Sequence, residues 1–228
     1  MHNFDFVKPA SVEEAVKALA QEGAQALSGG QTLIATMKQR LAAPTTLVSL
    51  TGIAAMKGVK AEGGTLTVGA ATPHAVVAKE AASAYPALAK LAGGIGDPAV
   101  RNRGTVGGSI ANNDPAACYP SGVLASGATV VTNKRRIAAD DYFQGLFTTA
   151  LEEGEIVTQV VFPIPEKAAY LKFEQPASRF ALTGVFVAKY PSGVRVAVTG
   201  AGADGVFRWS EAEAALSKNF SAAAIDGL

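Results

Sequence analysis

The sequence predicts an α/β (α+β) fold: two α/β subdomains followed by a small C-terminal domain of sheet plus helix. Three observations carry that reading. Helix and strand periodicities alternate through the first part of the chain, the pattern turns to hairpins beyond residue 57, and Pro163 and Pro165 punctuate it before three more strand-like runs. The boundaries drawn from them are 1–57, 58–165 and 166–228.

Ser11 opens the first helix as a capping box, its hydroxyl accepting a main-chain N–H while Glu14 reaches back. Val12, Ala15, Val16 and Leu19 recur at helical spacing and make one apolar face, with Gly23 as the expected stop. The short apolar run AQAL, 24–27, reads as a buried strand. Beyond Gly29-Gly30 a second helix is expected to begin near Gln31 or Thr32. Its Leu33, Ile34, Met37 and Leu41 fall on one side, and Pro44 ends it. TTLVSL, 45–50, is the next strand. Helix, strand, loop, helix, strand is an α/β unit.

Residues 56–70 then read as a hairpin turning at Glu62-Gly63-Gly64. Thr72-Pro73 and Tyr85-Pro86 each start a short helix, with proline at the first helical position. YPSGVLASGA, 119–128, reads as helix, ATVVTNKRRIAA as a hairpin and EIVTQVVFPIP as a strand. Past the two prolines, YLKFEQ, RFALTGVFVAKY and GVRVAVTGAG are strand-like, with Pro191-Ser192-Gly193 as a turn. Ser210 and Glu213 form a second capping box for a helix over 211–217. SAAAIDGL opens what looks like another helix, so the last domain is expected to be incomplete.

Composition narrows the function. The 228 residues are 49% hydrophobic and 17% charged, with a net charge of +1, so no strong field argues for nucleic acid or an anionic membrane. Of the two basic clusters, KRR at 134–136 reads as a solvated loop, while RNR at 101–103 runs into a glycine loop. Cys118 is the one cysteine, so no internal disulfide forms and no iron–sulfur cluster is held by this chain. His2, His74 and Cys118 sit at no metal-ligand spacing, and no metal site is expected. The start lacks the apolar core of a signal peptide, and no apolar run approaches the roughly 20 residues of a membrane span. The chain reads as soluble and cytoplasmic.

Two glycine loops stand out, LSGGQTLIA at 27–35 and RGTVGGSI at 103–110. Adjacent glycines present main-chain N–H groups without a Cβ in the way. A helix start adds unpaired N–H groups and a dipole favouring negative charge, so such loops suit phosphate. Ser28 and Thr32 add hydroxyls to Gly29-Gly30, and Thr105 and Ser109 do so around Gly107-Gly108. Neither loop has the lysine of a P-loop. The competing reading is that both are tight turns packed against neighbouring backbone. GAGADG at 200–205 fits G-x-G-x-x-G, but VFRWS separates it from the next helix, so it reads as a hairpin turn.

LSGGQTLIATMKQRLAAPTTLVSL and GGIGDPAVRNRGTVGGSIANNDPAACYPSGVLASGATVV strongly resemble the FAD-binding medium subunit of molybdenum hydroxylases, the xanthine dehydrogenase and aerobic carbon monoxide dehydrogenase relatives. YLKFEQPASRFALTGVFVA looks like the start of that family's C-terminal domain. The resemblance implies FAD, bound non-covalently between the two α/β subdomains and the C-terminal domain. It implies that Ser28, Gly29, Gly30, Gln31 and Thr32, flanked by Leu27 and Leu33, hold the pyrophosphate together with Thr105, Gly107, Gly108 and Ser109. Asp114 follows on the flavin side, and Ile95, Leu151 and Lys172 match positions near the flavin ring or its edge. Direct phosphate contact is not expected of Arg101 or Arg103.

This sequence departs from the pattern at Cys118, where many relatives carry an aspartate close to the ribityl chain. Relatives also continue past the position of Leu228. The resemblance further implies that electrons come from a large molybdopterin subunit through 2Fe–2S clusters of a small subunit and leave to an external acceptor. No side chain of this chain is then needed as a catalytic acid or base. A self-contained flavin oxidase and a flavin-free assembly scaffold are the rival readings.

Overall fold

The structure, a computed structural model, describes all residues from Met1 to Leu228. Its first sheet is parallel, with β1 (Asp5–Val7) and β2 (Ala24–Leu27) flanking β3 (Thr46–Ser49). Parallel strands need crossovers, and α1 (Val12–Leu19) and α2 (Leu33–Lys38) supply them. β1 is three residues long, too short to announce itself by periodicity. The cap on α1 is formed: Ser11 Oγ accepts the Glu14 N–H at 3.2 Å, and Glu14 Oε2 accepts the Ala10 N–H at 2.8 Å. Such a cap contributes about 1 kcal/mol. Helix α2 is shorter than its apolar spacing suggests, because Arg40 takes a left-handed φ of 61°. Leu41 therefore lies beyond the helix and is 76% exposed, not on its buried face.

The second sheet is antiparallel. β4 (Val59–Glu62) with β5 (Thr65–Gly69), and β6 (Thr129–Thr132) with β7 (Arg136–Ala138), are the two expected hairpins. Between them run α3 (His74–Glu80), α4 (Pro86–Gly93), α5 (Pro98–Arg101), α6 (Val106–Asn112) and α7 (Cys118–Ala125). Next come α8 (Ala139–Tyr142) and the small hairpin of β8 (Phe143–Gly145) and β9 (Thr148–Thr149). β10 (Val157–Pro163) then returns to the middle of the sheet, giving the order β4-β5-β10-β6-β7.

β11 (Lys167–Glu174), β12 (Ala181–Tyr190), β13 (Gly193–Thr199) and β14 (Phe207–Arg208) form the third sheet, antiparallel and in chain order. GAGADG carries the chain from β13 into β14, as a hairpin turn should. Tyr170, Phe186 and Ala197 join one core cluster with residues of all three sheets and of α4 and α7, so the third sheet is not a loose appendage. Its Val194 and Val196 pack separately on Ala212 and Leu216 of α9 (Ser210–Lys218). The capping box expected at this helix is absent. Glu213 instead accepts from the Val196 N–H at 2.9 Å and from Arg208 at 2.6 Å, because a guanidinium within reach makes the stronger bond. The final segment forms only a short helical turn, Ala222–Ile225. No helix is long and apolar enough to cross a membrane.

Candidate functional site: a cleft between two glycine loops

The two glycine loops border one cleft of about 560 Å³. The first links β2 to α2 and the second links α5 to α6. Ser28 Oγ and Thr105 Oγ1 stand 2.8 Å apart, so a hydroxyl–hydroxyl bond ties the loops together. Thr105 is also the cap of α6, its Oγ1 accepting the Gly108 N–H at 3.2 Å.

The four glycines are not equivalent. A Cβ on Gly29 would strike the Arg103 carbonyl and the Gly104 main chain, and one on Gly107 would strike Ala70. Gly30 takes a φ of +69°. Gly29 and Gly107 thus pack against neighbouring residues as tight turns do, and Gly30 supplies the left-handed turn. Gly108 differs: a Cβ there would meet Thr105 Oγ1 at 3.0 Å and Ser28 Cβ at 3.8 Å, with no main chain of another segment near. It is exposed on the cleft wall, and its bareness keeps space open. The N–H groups differ too. Those of Gly29, Gly30, Gln31 and Thr32 find no partner in the chain, whereas those of Gly107 and Gly108 bond to Ala70 O and Thr105 Oγ1.

Leu27, Ser28, Gln31, Thr32, Leu33, Ile95, Ser109, Asp114 and Leu151 all line the same cleft. Ile95 and Gly96 are presented by Arg101, whose Nη1 donates to their carbonyls at 3.0 and 2.7 Å. Asp114 Oδ1 accepts the Ala116 N–H at 2.9 Å and shapes the turn into α7. Leu151 is bracketed: Arg135 donates to the Ala150 carbonyl at 2.7 Å, and Glu155 accepts the Glu152 N–H at 2.9 Å. KRR is thus not merely a solvated loop, since Arg135 pairs with the buried Glu155 carboxylate at 3.1 Å. Lys172 is not on the cleft wall; its ammonium donates to the Gly94 and Arg179 carbonyls, each at 2.7 Å.

Residues 2–165 match the family described as FAD binding domain in molybdopterin dehydrogenase. The chain belongs to this family. It is 36% identical to the carbon monoxide dehydrogenase medium chain of Afipia carboxidovorans over 84% of this chain and 70% of that one. The nicotine 6-hydroxylase medium subunit of Paenarthrobacter nicotinovorans is 34% identical over 86% of this chain and 74% of that one. Among solved structures, carbon monoxide dehydrogenase from Hydrogenophaga pseudoflava superposes with a TM-score of 0.89 at 34% identity, covering 98% of this chain and 84% of that one.

FAD is the cofactor of this medium-subunit domain, and the cleft fits it. Unpartnered main-chain N–H groups lie on one side, open space lies over Gly108, and apolar walls are supplied by Ile95 and Leu151. Such a mixture, mostly apolar with a few convergent donors, is what a cofactor site needs. Sequence reasoning missed some of its wall. His74 lies outside both loops in sequence, yet its N–H donates to the Gly104 carbonyl at 2.9 Å and its ring borders the cleft. Burial, with the Arg101 charge adding, pushes the imidazole down to about 4, and its Nδ1 has no partner. Burial likewise raises the Cys118 thiol, opposed by the Tyr170 hydroxyl and Lys172. At Glu155 burial pulls upward, but Arg135, Thr132 and the Glu152 N–H outweigh it and hold the carboxyl at about 2.

Proposed function

We propose that this medium subunit is an electron-transfer flavoprotein in which the cleft between the glycine loops holds FAD non-covalently. When bound, FAD supplies a relay able to take electrons and release them singly or in pairs. The loop tie supports the reading: the Ser28–Thr105 bond joins the loop bearing the free N–H groups of Gly29 to Thr32 to the loop bearing the open Gly108. Ser28 to Thr32, with Thr105, Gly107, Gly108 and Ser109, form the pyrophosphate cradle between neighbours Leu27 and Leu33. Asp114 lies on the flavin side and Ile95 and Leu151 near the ring, with Lys172 behind the wall at that end of the cleft. The parts 1–57, 58–165 and 166–228 meet around it.

The chain excludes and positions but contributes no acid or base. Electrons come from a small subunit carrying 2Fe–2S clusters, beyond which a large molybdopterin subunit oxidises the substrate, and they pass to an external acceptor in the cytoplasm. The substrates named in the relatives differ, from carbon monoxide to nicotine, which fits a substrate choice made outside this chain.

Two measurements test this. Purified chain should be yellow, and acid should release all its flavin; colour retained in the precipitate would mean attachment, with His74 and Cys118 of the cleft wall the candidates. Co-expression with its neighbouring genes should give a larger assembly whose substrate bleaches the flavin, while the isolated chain oxidises nothing. Turnover by the isolated chain would favour the self-contained oxidase, and a colourless chain the scaffold.

A further inference from the structure

The hairpin between β11 and β12 turns at residues 175–180, and Ser178, Arg179 and Phe180 of that turn line the cleft. The turn is organised from within. Gln175 Oε1 accepts the Ala177 and Ser178 N–H groups at 2.6 and 2.8 Å, and the Arg179 N–H donates to Gln175 O at 2.8 Å. Gln175 N–H donates to Phe180 O at 2.9 Å. Residues 175–180 themselves make no main-chain hydrogen bond outside the hairpin; the nearest such bond is beside the turn, the Ala181 N–H donating to Ala116 O at 3.3 Å. One side chain ties the turn itself to the end of α4. Lys172 Nζ donates both to Arg179 O in the turn and to Gly94 O at the end of α4, each at 2.7 Å. Cys118 Sγ, on the cleft wall, is 3.8 Å from the same ammonium.

The Lys172 side chain is only 7% exposed, and its nearest carboxylate, Glu174, stands 3.7 Å away. A buried cation is costly unless its donors are taken up. Here they are used to join two separate pieces of cleft wall, a job that an apolar residue filling the same space could not do. We infer that Lys172 is a latch: its ammonium clamps the 175–180 turn against the end of α4 and so holds the mouth of the cleft closed over its contents. Lys172 is thus a positioning residue, distinct from a direct contact to the flavin ring. The cofactor part of this inference rests on the function proposed above.

Trypsin tests the latch directly, because the bond it cuts after Arg179 begins at the carbonyl Lys172 holds. With full-length chain as purified, Lys172→Met is expected to speed cleavage after Arg179 roughly tenfold, the loss expected for a charge-assisted bond. Cleavage after every other lysine and arginine, residue 172 itself apart, should stay within about twofold, and dissociation of FAD after dilution should quicken by a similar tenfold. Lys172→Arg keeps a buried cation and so the fold, and should return both rates to within about threefold of native. Faster flavin loss with unchanged cleavage after Arg179 would overturn the latch in favour of direct contact. Cleavage rising equally at every site would overturn it in favour of general destabilisation, as would an arginine variant that behaves like methionine. Should the chain hold no FAD, the flavin measurement falls with the proposed function, yet cleavage after Arg179 still decides the latch.

Discussion

Gly108 and Gly29 differ in what stands where a Cβ would go, and substitution should separate them. Gly108→Val projects into open cleft beside Ser28 and Thr105, so the fold should survive while FAD affinity falls at least ~30-fold, roughly 2 kcal/mol. Gly29→Ala meets main chain at residues 103–104 and should instead lower stability by about 1–3 kcal/mol. Flavin titration beside denaturant unfolding separates the two, and full occupancy in Gly108→Val would return that loop to a structural role. A second pair of residues sets the acid limit. Folding lowers His74 from 6.5 to about 4 and Glu155 from 4.5 to about 2, so the unfolded chain binds more protons and stability rises with pH. The His74 share is complete above 6.5 and lost toward 4; the Glu155 share is complete above 4.5 and lost toward 2. Unfolding midpoints against pH should flatten over the upper window in His74→Phe and over the lower in Glu155→Gln. Glu155→Gln should also cost about 2–3 kcal/mol at neutral pH, since Arg135, Thr132 and the Glu152 N–H lose their shared charged acceptor. Neither residue was legible as part of the site. Each borders the cleft through a partner 20 or more positions away, Arg135 for Glu155 and Gly104 for His74, and spacing carries no trace of that.

Among elements, the two loops are joined by one hydroxyl pair, and a double-mutant cycle can weigh it. Ser28→Ala loses the tie alone, whereas Thr105→Val loses the tie and the cap of α6 together. The expected costs are about 1 kcal/mol and about 2 kcal/mol, with a coupling near 1 kcal/mol. Additive effects would mean that the loops are held by packing instead. The elements themselves were largely readable, because caps, prolines and turn glycines act within a few residues: Ser11 with Glu14, Pro86 at α4, Gly63-Gly64 between β4 and β5. Failures came where a distant group competed. Glu213 has the spacing of a capping box, but Arg208 and the Val196 main chain claimed it. Leu41 fits the helical period, but Arg40 had already left the helix.

At the scale of the whole molecule, the strand segments could be read but not their order. EIVTQVVFPIP is plainly a strand; nothing in it says that β10 sits between β5 and β6. That placement has a consequence in time. A growing chain leaves the ribosome N-terminus first, so residues 65–69 and 129–132 are both made before Val157 exists to join them. Until then each hairpin offers an open edge, which is a template for wrong pairing. The cleft wall at Glu155, Ile156 and Val157 is missing over the same interval. Cofactor capture should therefore be a late event in synthesis, preceded by a period of exposure to chaperones and proteases. Arrested nascent chains exposing residues 1–150 should be protease-sensitive and retain no FAD, and chains exposing the whole sequence should retain it. Flavin retained by the shorter fragment would show that the cradle works before the central strand arrives.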